Sequence, residues 1–189
     1  QPEPYLLNLV AVKPETAAQL KEQGLIAPEE LEVPEPELGS WEQYLSSLPW
    51  TPEQLSTWRQ KALEQENQDY LRVLDFLCAA QDPQASPASK LGQTQWAAQN
   101  LIQVYNQSPT SGPVALSLAR ALNALGMREQ AVQVLGQLIQ EIQSGKNLDF
   151  NLPFLPPLAR FDQVPIRESA QKWIMARCIE SLIYLRSYS

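Results

Sequence analysis

The sequence contains no histidine and only two cysteines, Cys78 and Cys178, among its 189 residues. The missing histidine removes Ser-His and Cys-His catalysis and the commonest metal ligand. Each thiol sits inside an apolar helical pattern, which marks it as a small core residue and leaves zinc with too few soft ligands. Glycine is scarce too: there are seven, none in a GxG pattern, so no glycine-rich loop is present to hold a phosphate or S-adenosylmethionine. No apolar run approaches the roughly 20 residues that span a bilayer, and Gln1 to Val12 lacks the basic start and small-residue cleavage site of a signal peptide. The first methionine is Met127, so the chain reads as a piece of a longer protein. These absences predict a cytoplasmic domain with no catalytic residues, no cofactor, no metal and no membrane contact.

Positive charge is also sparse. Residues 1–80 hold 14 acidic and 5 basic side chains, and residues 81–189 hold 7 acidic and 9 basic. An acidic half repels phosphate backbones and the other half is barely basic, so nucleic acid is a poor partner. The carboxylates Glu29, Glu30, Glu35 and Glu37 read as a solvated face rather than as a hydrolase pair. Trp41, Trp50 and Trp58 lie among carboxylates, not arginines, and read as packing anchors instead of a base-stacking platform.

What is present is helical periodicity. Tyr5 to Val12 is short and apolar enough for a strand, but nothing else offers it a partner. A short helix is expected over Ala17 to Gln23, closed by Gly24, and the stretch Ala27 to Gly39, with Pro28, Pro34 and Pro36, reads as an acidic surface connector. Ser40 with Gln43, and Thr51 with Pro52 and Gln54, each form an N-cap signal. They predict a helix over Trp41 to Ser47 and another over Pro52 to Ala80 that is weakest at Glu64 to Asp69. A further helix follows over Leu91 to Tyr105. The divisions expected are 1–39, an arm with a short helix and acidic linker, and 40–189, a helical domain.

Pro113 to Gln143 holds two amphipathic runs joined at Leu125, Gly126 and Met127, with Gly126 suited to a left-handed exit from the first helix. Ser144 to Val164 breaks the pattern. Its Pro153, Pro156 and Pro157 exclude a helix, yet Phe150, Phe154, Leu155 and Phe161 make it too apolar for a free loop, so it is expected to lie extended across the helices. A last helix runs from Pro165 to about Arg186. The fold class is therefore all-α, an irregular solenoid-like stack of antiparallel hairpins with an extended Pro-rich segment before the last helix.

Leu118, Ala119, Leu122, Leu125, Gly126, Ala131 and Leu135 stand at the spacing of the tetratricopeptide signature, and residues 112–143 resemble about one such repeat. The resemblance implies that Leu116, Arg120 and Asn123 line a concave groove, where Arg120 would pair bidentately with a ligand carboxylate and Asn123 would bond an extended peptide. On that reading, replacing Arg120 and Asn123 spares the fold. The NLVAV run at residues 8–12 and LPPLARFD at 155–162 resemble regions that follow FkbM-type methyltransferase domains in cyanobacterial multidomain proteins.

The function expected is a non-catalytic helical interaction domain that binds a protein, a peptide or another domain of its own polypeptide. The alternative is an accessory substrate-binding domain of a methyltransferase or glycosyltransferase, with an acceptor docked on the aromatic segment around Phe150, Phe154 and Phe161.

Overall fold

The computed structural model describes residues 14–22, 31–146, 149–167 and 169–187, and among them the fold is all-α with no strand. The strand expected over Tyr5 to Val12 lies outside the described residues. The helices are α1 (Pro14–Glu22), α2 (Ser40–Ser46), α3 (Leu55–Ala62), α4 (Gln68–Ala79), α5 (Pro87–Gln107), α6 (Gly112–Ala124), α7 (Arg128–Gln143) and α8 (Ala170–Arg186). Short 3-10 turns stand at Gln65–Asn67 and Ala159–Phe161. The weak stretch expected near Glu64 is thus a true break between α3 and α4.

From α4 to α8 each helix packs on the next, α2 packs on α4, and α4 also reaches α6. Short connections fold successive helices back on one another, which lets small amphipathic faces build one continuous core. That core runs from Trp41 through Leu74, Leu101 and Leu135 to Leu185. The turn between α6 and α7 follows from its sequence. Gly126 has φ +75°, and Met127 N–H donates to the Leu122 carbonyl at 2.9 Å, closing α6 with a left-handed glycine cap.

Both predicted caps at the N-terminal end are corrected. Ser40 is the first residue of α2, not its cap; Gly39 stands there with φ +83° and no side chain to offer. The cap comes from across the core: the buried Asp75 carboxylate accepts from Trp41 N–H at 2.9 Å and Gly39 N–H at 3.1 Å. Burial raises the Asp75 carboxyl above its ordinary range, and those two amides with Arg72 oppose the shift. Thr51 also turns backwards. Its hydroxyl donates to carbonyls at the end of α2, Leu45 at 2.6 Å and Leu48 at 3.0 Å, and α3 begins only at Leu55. A serine or threonine hydroxyl serves the helix behind it as readily as the one ahead, and sequence spacing does not distinguish the two.

At the other end, α5 starts earlier than its periodicity suggests, because Ser86 accepts from Ser89 N–H and Pro87 takes the first helical position. The start of α8 moves the other way. Ser169 caps it through Lys172 N–H, so residues 165–167 remain outside the helix.

Candidate functional site

The two sites read from the sequence turn out to be one contact. The segment from Phe150 to Asp162 crosses α4, α6 and α8, lying over the face of α6 that carries Leu116, Ser117 and Arg120. Leu116 is buried, Asn123 is half-buried, and Arg120 is only 3% exposed. Arg120 does make a bidentate carboxylate pair, but with a residue of its own chain. Its Nη1 donates to Asp162 Oδ1 at 3.0 Å and its Nη2 to Asp162 Oδ2 at 2.8 Å. The same guanidinium reaches the Pro156 carbonyl at 3.2 Å and Gln81 Oε1 at 2.8 Å. Asp162 also accepts from the Tyr44 hydroxyl at 3.0 Å. Burial first, and the Asp162 charge second, raise the Tyr44 phenol far above its ordinary range, so it remains a proton donor.

Further along, the segment is stitched down by hydrogen bonds that suit a proline-rich backbone. Tyr70 Oη donates to the Pro153 carbonyl at 2.7 Å, the Ser117 hydroxyl stands 3.0 Å from Tyr70 Oη, and Leu155 N–H donates to Ser117 Oγ at 3.2 Å. With Tyr70 donating to Pro153, Ser117 donates to Tyr70 and accepts from Leu155, so each hydroxyl is satisfied. Trp58 Nε1 donates to the Phe150 carbonyl at 3.3 Å. The rings interlock as well: Phe154 lies 5.2 Å from Trp50 and 5.8 Å from Trp58, and Trp50 stacks on Trp173 at 5.0 Å. A Cβ at Gly112 would run into the Phe150 ring, so a glycine at the start of α6 is what admits the segment.

This geometry corrects the expectation that Arg120 stands on an open groove wall. Phe154 and Phe161 are buried, leaving Phe150 as the one half-buried ring of the three candidates. An acceptor has little aromatic surface to dock on.

A second proline-rich stretch, residues 31–37, lies over α4 and α5. Gln93 Nε2 donates to the Pro34 carbonyl at 3.0 Å, Arg72 Nη1 donates to the Pro36 carbonyl at 3.1 Å and its Nη2 bonds Glu35, and Ser86 Oγ donates to Glu32 Oε2 at 3.0 Å. Here too a glycine admits the backbone, since a Cβ at Gly92 would run into the Glu32 carbonyl. The sequence reading placed these residues in a plain connector. Gly92 within a helix was the available signal, and a weak one, since Gly136 inside α7 has nothing within 4 Å of where its Cβ would stand.

Between this stretch, α2 and the α4–α5 turn opens a cleft of about 900 Å³, lined by Pro34, Tyr44, Gln81, Asp82 and Gln93 among others. Tyr44 and Gln81 belong to both the cleft and the Arg120–Asp162 network. Cys78 lines it too, but burial holds its thiol well above the ordinary range, and Cys178 is pushed up to about 12 by burial. At both positions burial favours the neutral thiol over the thiolate. Among the described residues no cluster of His, Cys, Asp or Glu could hold a metal ion, and no helix is long and apolar enough to cross a membrane.

Residues 88–146 match the tetratricopeptide repeat family. The tetratricopeptide match takes in α5 with the α6–α7 hairpin, so it reaches further upstream than the 112–143 unit legible from the signature residues. That unit has the buried small residues the repeat requires, Ala119 and Ala131, where α6 and α7 approach. No curated protein and no solved structure matches the chain.

Proposed function

We propose that this chain is a non-catalytic interaction module that engages its partner at the cleft between residues 31–37, α2 and the α4–α5 turn. The observation that supports this reading is an open cleft beside a covered face: Phe150 to Asp162 lies over Leu116 and Arg120 of α6, while the cleft is open and lined by both polar and apolar side chains. Stacked helical pairs of this kind bind proteins or peptides through such surfaces. A neighbouring domain of the same polypeptide is one such partner. The likeness of residues 8–12 and 155–162 to regions after FkbM-type methyltransferase domains supports looking for it there.

The test is partner capture by the immobilised chain, comparing Ala85→Trp, which fills the cleft, with Asn123→Ala on the half-buried edge of α6. Loss of capture in Ala85→Trp alone, with unchanged melting, is the expected result. Capture that survives Ala85→Trp and fails in Asn123→Ala would move the site to the α6 edge.

A further inference from the structure

We infer that the ridge formed by Arg72, Ser86, Gly92 and Gln93 is a peptide-binding site for an extended acidic segment with prolines two residues apart, and that residues 31–37 are its displaceable internal occupant. The inference rests on the interaction reading above and names the partner's chemistry. Its basis is the way the stretch is held. Two of the four contacts go to backbone carbonyls, Pro34 from Gln93 and Pro36 from Arg72, and the other two go to carboxylates, Glu35 on Arg72 and Glu32 on Ser86. These are groups that any extended segment of that composition offers. Prolines pre-set the extended form and expose the carbonyls, so little chain freedom is lost on docking. Gly92 leaves room for backbone and nothing larger. The ridge itself contributes the cation Arg72, both of whose terminal nitrogens bond the segment.

The internal occupant fits imperfectly. Residues 31–35 and 37 are exposed, Glu35 by 79% at its side chain, so docking buries little apolar surface. Gln93 is 4% exposed and its Oε1 is sealed without a hydrogen-bond partner. Prolines 34 and 36 have no N–H to give it. Displacement of residues 31–37 would also remove one wall of the cleft, which ties partner binding to its opening.

The test uses the full chain and a labelled peptide, acetyl-Leu-Glu-Val-Pro-Glu-Pro-Glu-Leu-amide, matching residues 31–38. Fluorescence polarisation is read on the unchanged chain and on a Glu32→Ser, Glu35→Ser variant whose internal segment is weakened. An attached competitor acts at a high effective concentration, so the peptide should bind the variant at least about ten-fold more tightly. Adding Arg72→Ala to the variant should reverse that gain, and titration should shift the Gln93 side-chain amide resonances. Equal binding of a peptide with lysine in place of each glutamate, or no binding to a variant that melts like the unchanged chain, overturns the inference. Loss of partner capture in Ala85→Trp with no peptide displacement would retain the interaction reading and discard this one. A dimer of the unchanged chain that the peptide dissolves assigns the site to a second copy and overturns the displaceable occupant.

Discussion

The molecule carries two proline-rich stretches laid across helices, and each crosses at a glycine, yet they differ in almost everything else. Phe150 to Asp162 buries Phe154, Leu155, Leu158 and Phe161, while residues 31–37 leave nearly every side chain in solvent. One is fixed by an ion pair sealed in the core and the other by a pair open to water. Buried apolar area and unscreened charge make the first inseparable from the fold. The second has neither, and its contacts have the strength of a transient complex. The same local chemistry, proline carbonyls bonded by side chains, thus serves as core in one place and as a ligand-like contact in the other.

The largest effect should come from cutting the latch of the buried stretch. Arg120→Ala leaves the Asp162 carboxylate, 6% exposed, without its guanidinium, and the expected loss is about 3 to 5 kcal/mol in urea unfolding. This reverses the expectation that Arg120 is free for a ligand. Pairing Arg120→Met with Asp162→Leu should recover most of the loss, since apolar replacements remove the unpaired charge. A loss below about 1 kcal/mol would mean that the segment is not latched at all. Next comes Leu155→Ala, at a fully buried side chain, expected to cost about 2 to 5 kcal/mol. Tyr70→Phe should cost about 1 to 3 kcal/mol because Pro153 and Ser117 lose their shared partner.

Much of this was legible in the sequence. The α6–α7 hairpin, its glycine turn and the extended course of Phe150 to Asp162 follow from apolar spacing and proline, which act locally. The latch does not. Arg120 repeats at helical intervals with Leu116 and Asn123, so its periodicity fits a groove wall as well as a buried cation, and only the folded chain brings Asp162 to it. The clue was Asp162 itself, a carboxylate next to Phe161 in an apolar run, which requires a buried partner. The Asp75 cap was hidden for the same reason, because Gly39 and Trp41 lie far from it in sequence. Residues 31–37 carried the weakest signal, since a surface-bound segment and a free linker share one composition.

The two glycines at which the proline-rich stretches cross give the smallest effect and the sharpest comparison. Gly→Ala in a helix gains up to about 1 kcal/mol from backbone entropy when nothing is in the way. At Gly112 the new methyl meets the Phe150 ring, whose segment is held by the Trp58 bond and the aromatic cluster. Retreat would carry this half-buried ring away from Phe154 and strain the Trp58 bond, so Gly112→Ala should destabilise by about 1 to 3 kcal/mol. At Gly92 the methyl meets the Glu32 carbonyl, which belongs to an exposed stretch that can lift away. Gly92→Ala should therefore leave thermal stability within about 1 kcal/mol of the unchanged chain, or raise it, while abolishing the Gln93 to Pro34 hydrogen bond. The measurement is a melting curve paired with the Gln93 side-chain amide resonance. Equal destabilisation by both substitutions would make residues 31–37 as integral to the fold as Phe150 to Asp162, and the distinction between the two stretches would fail.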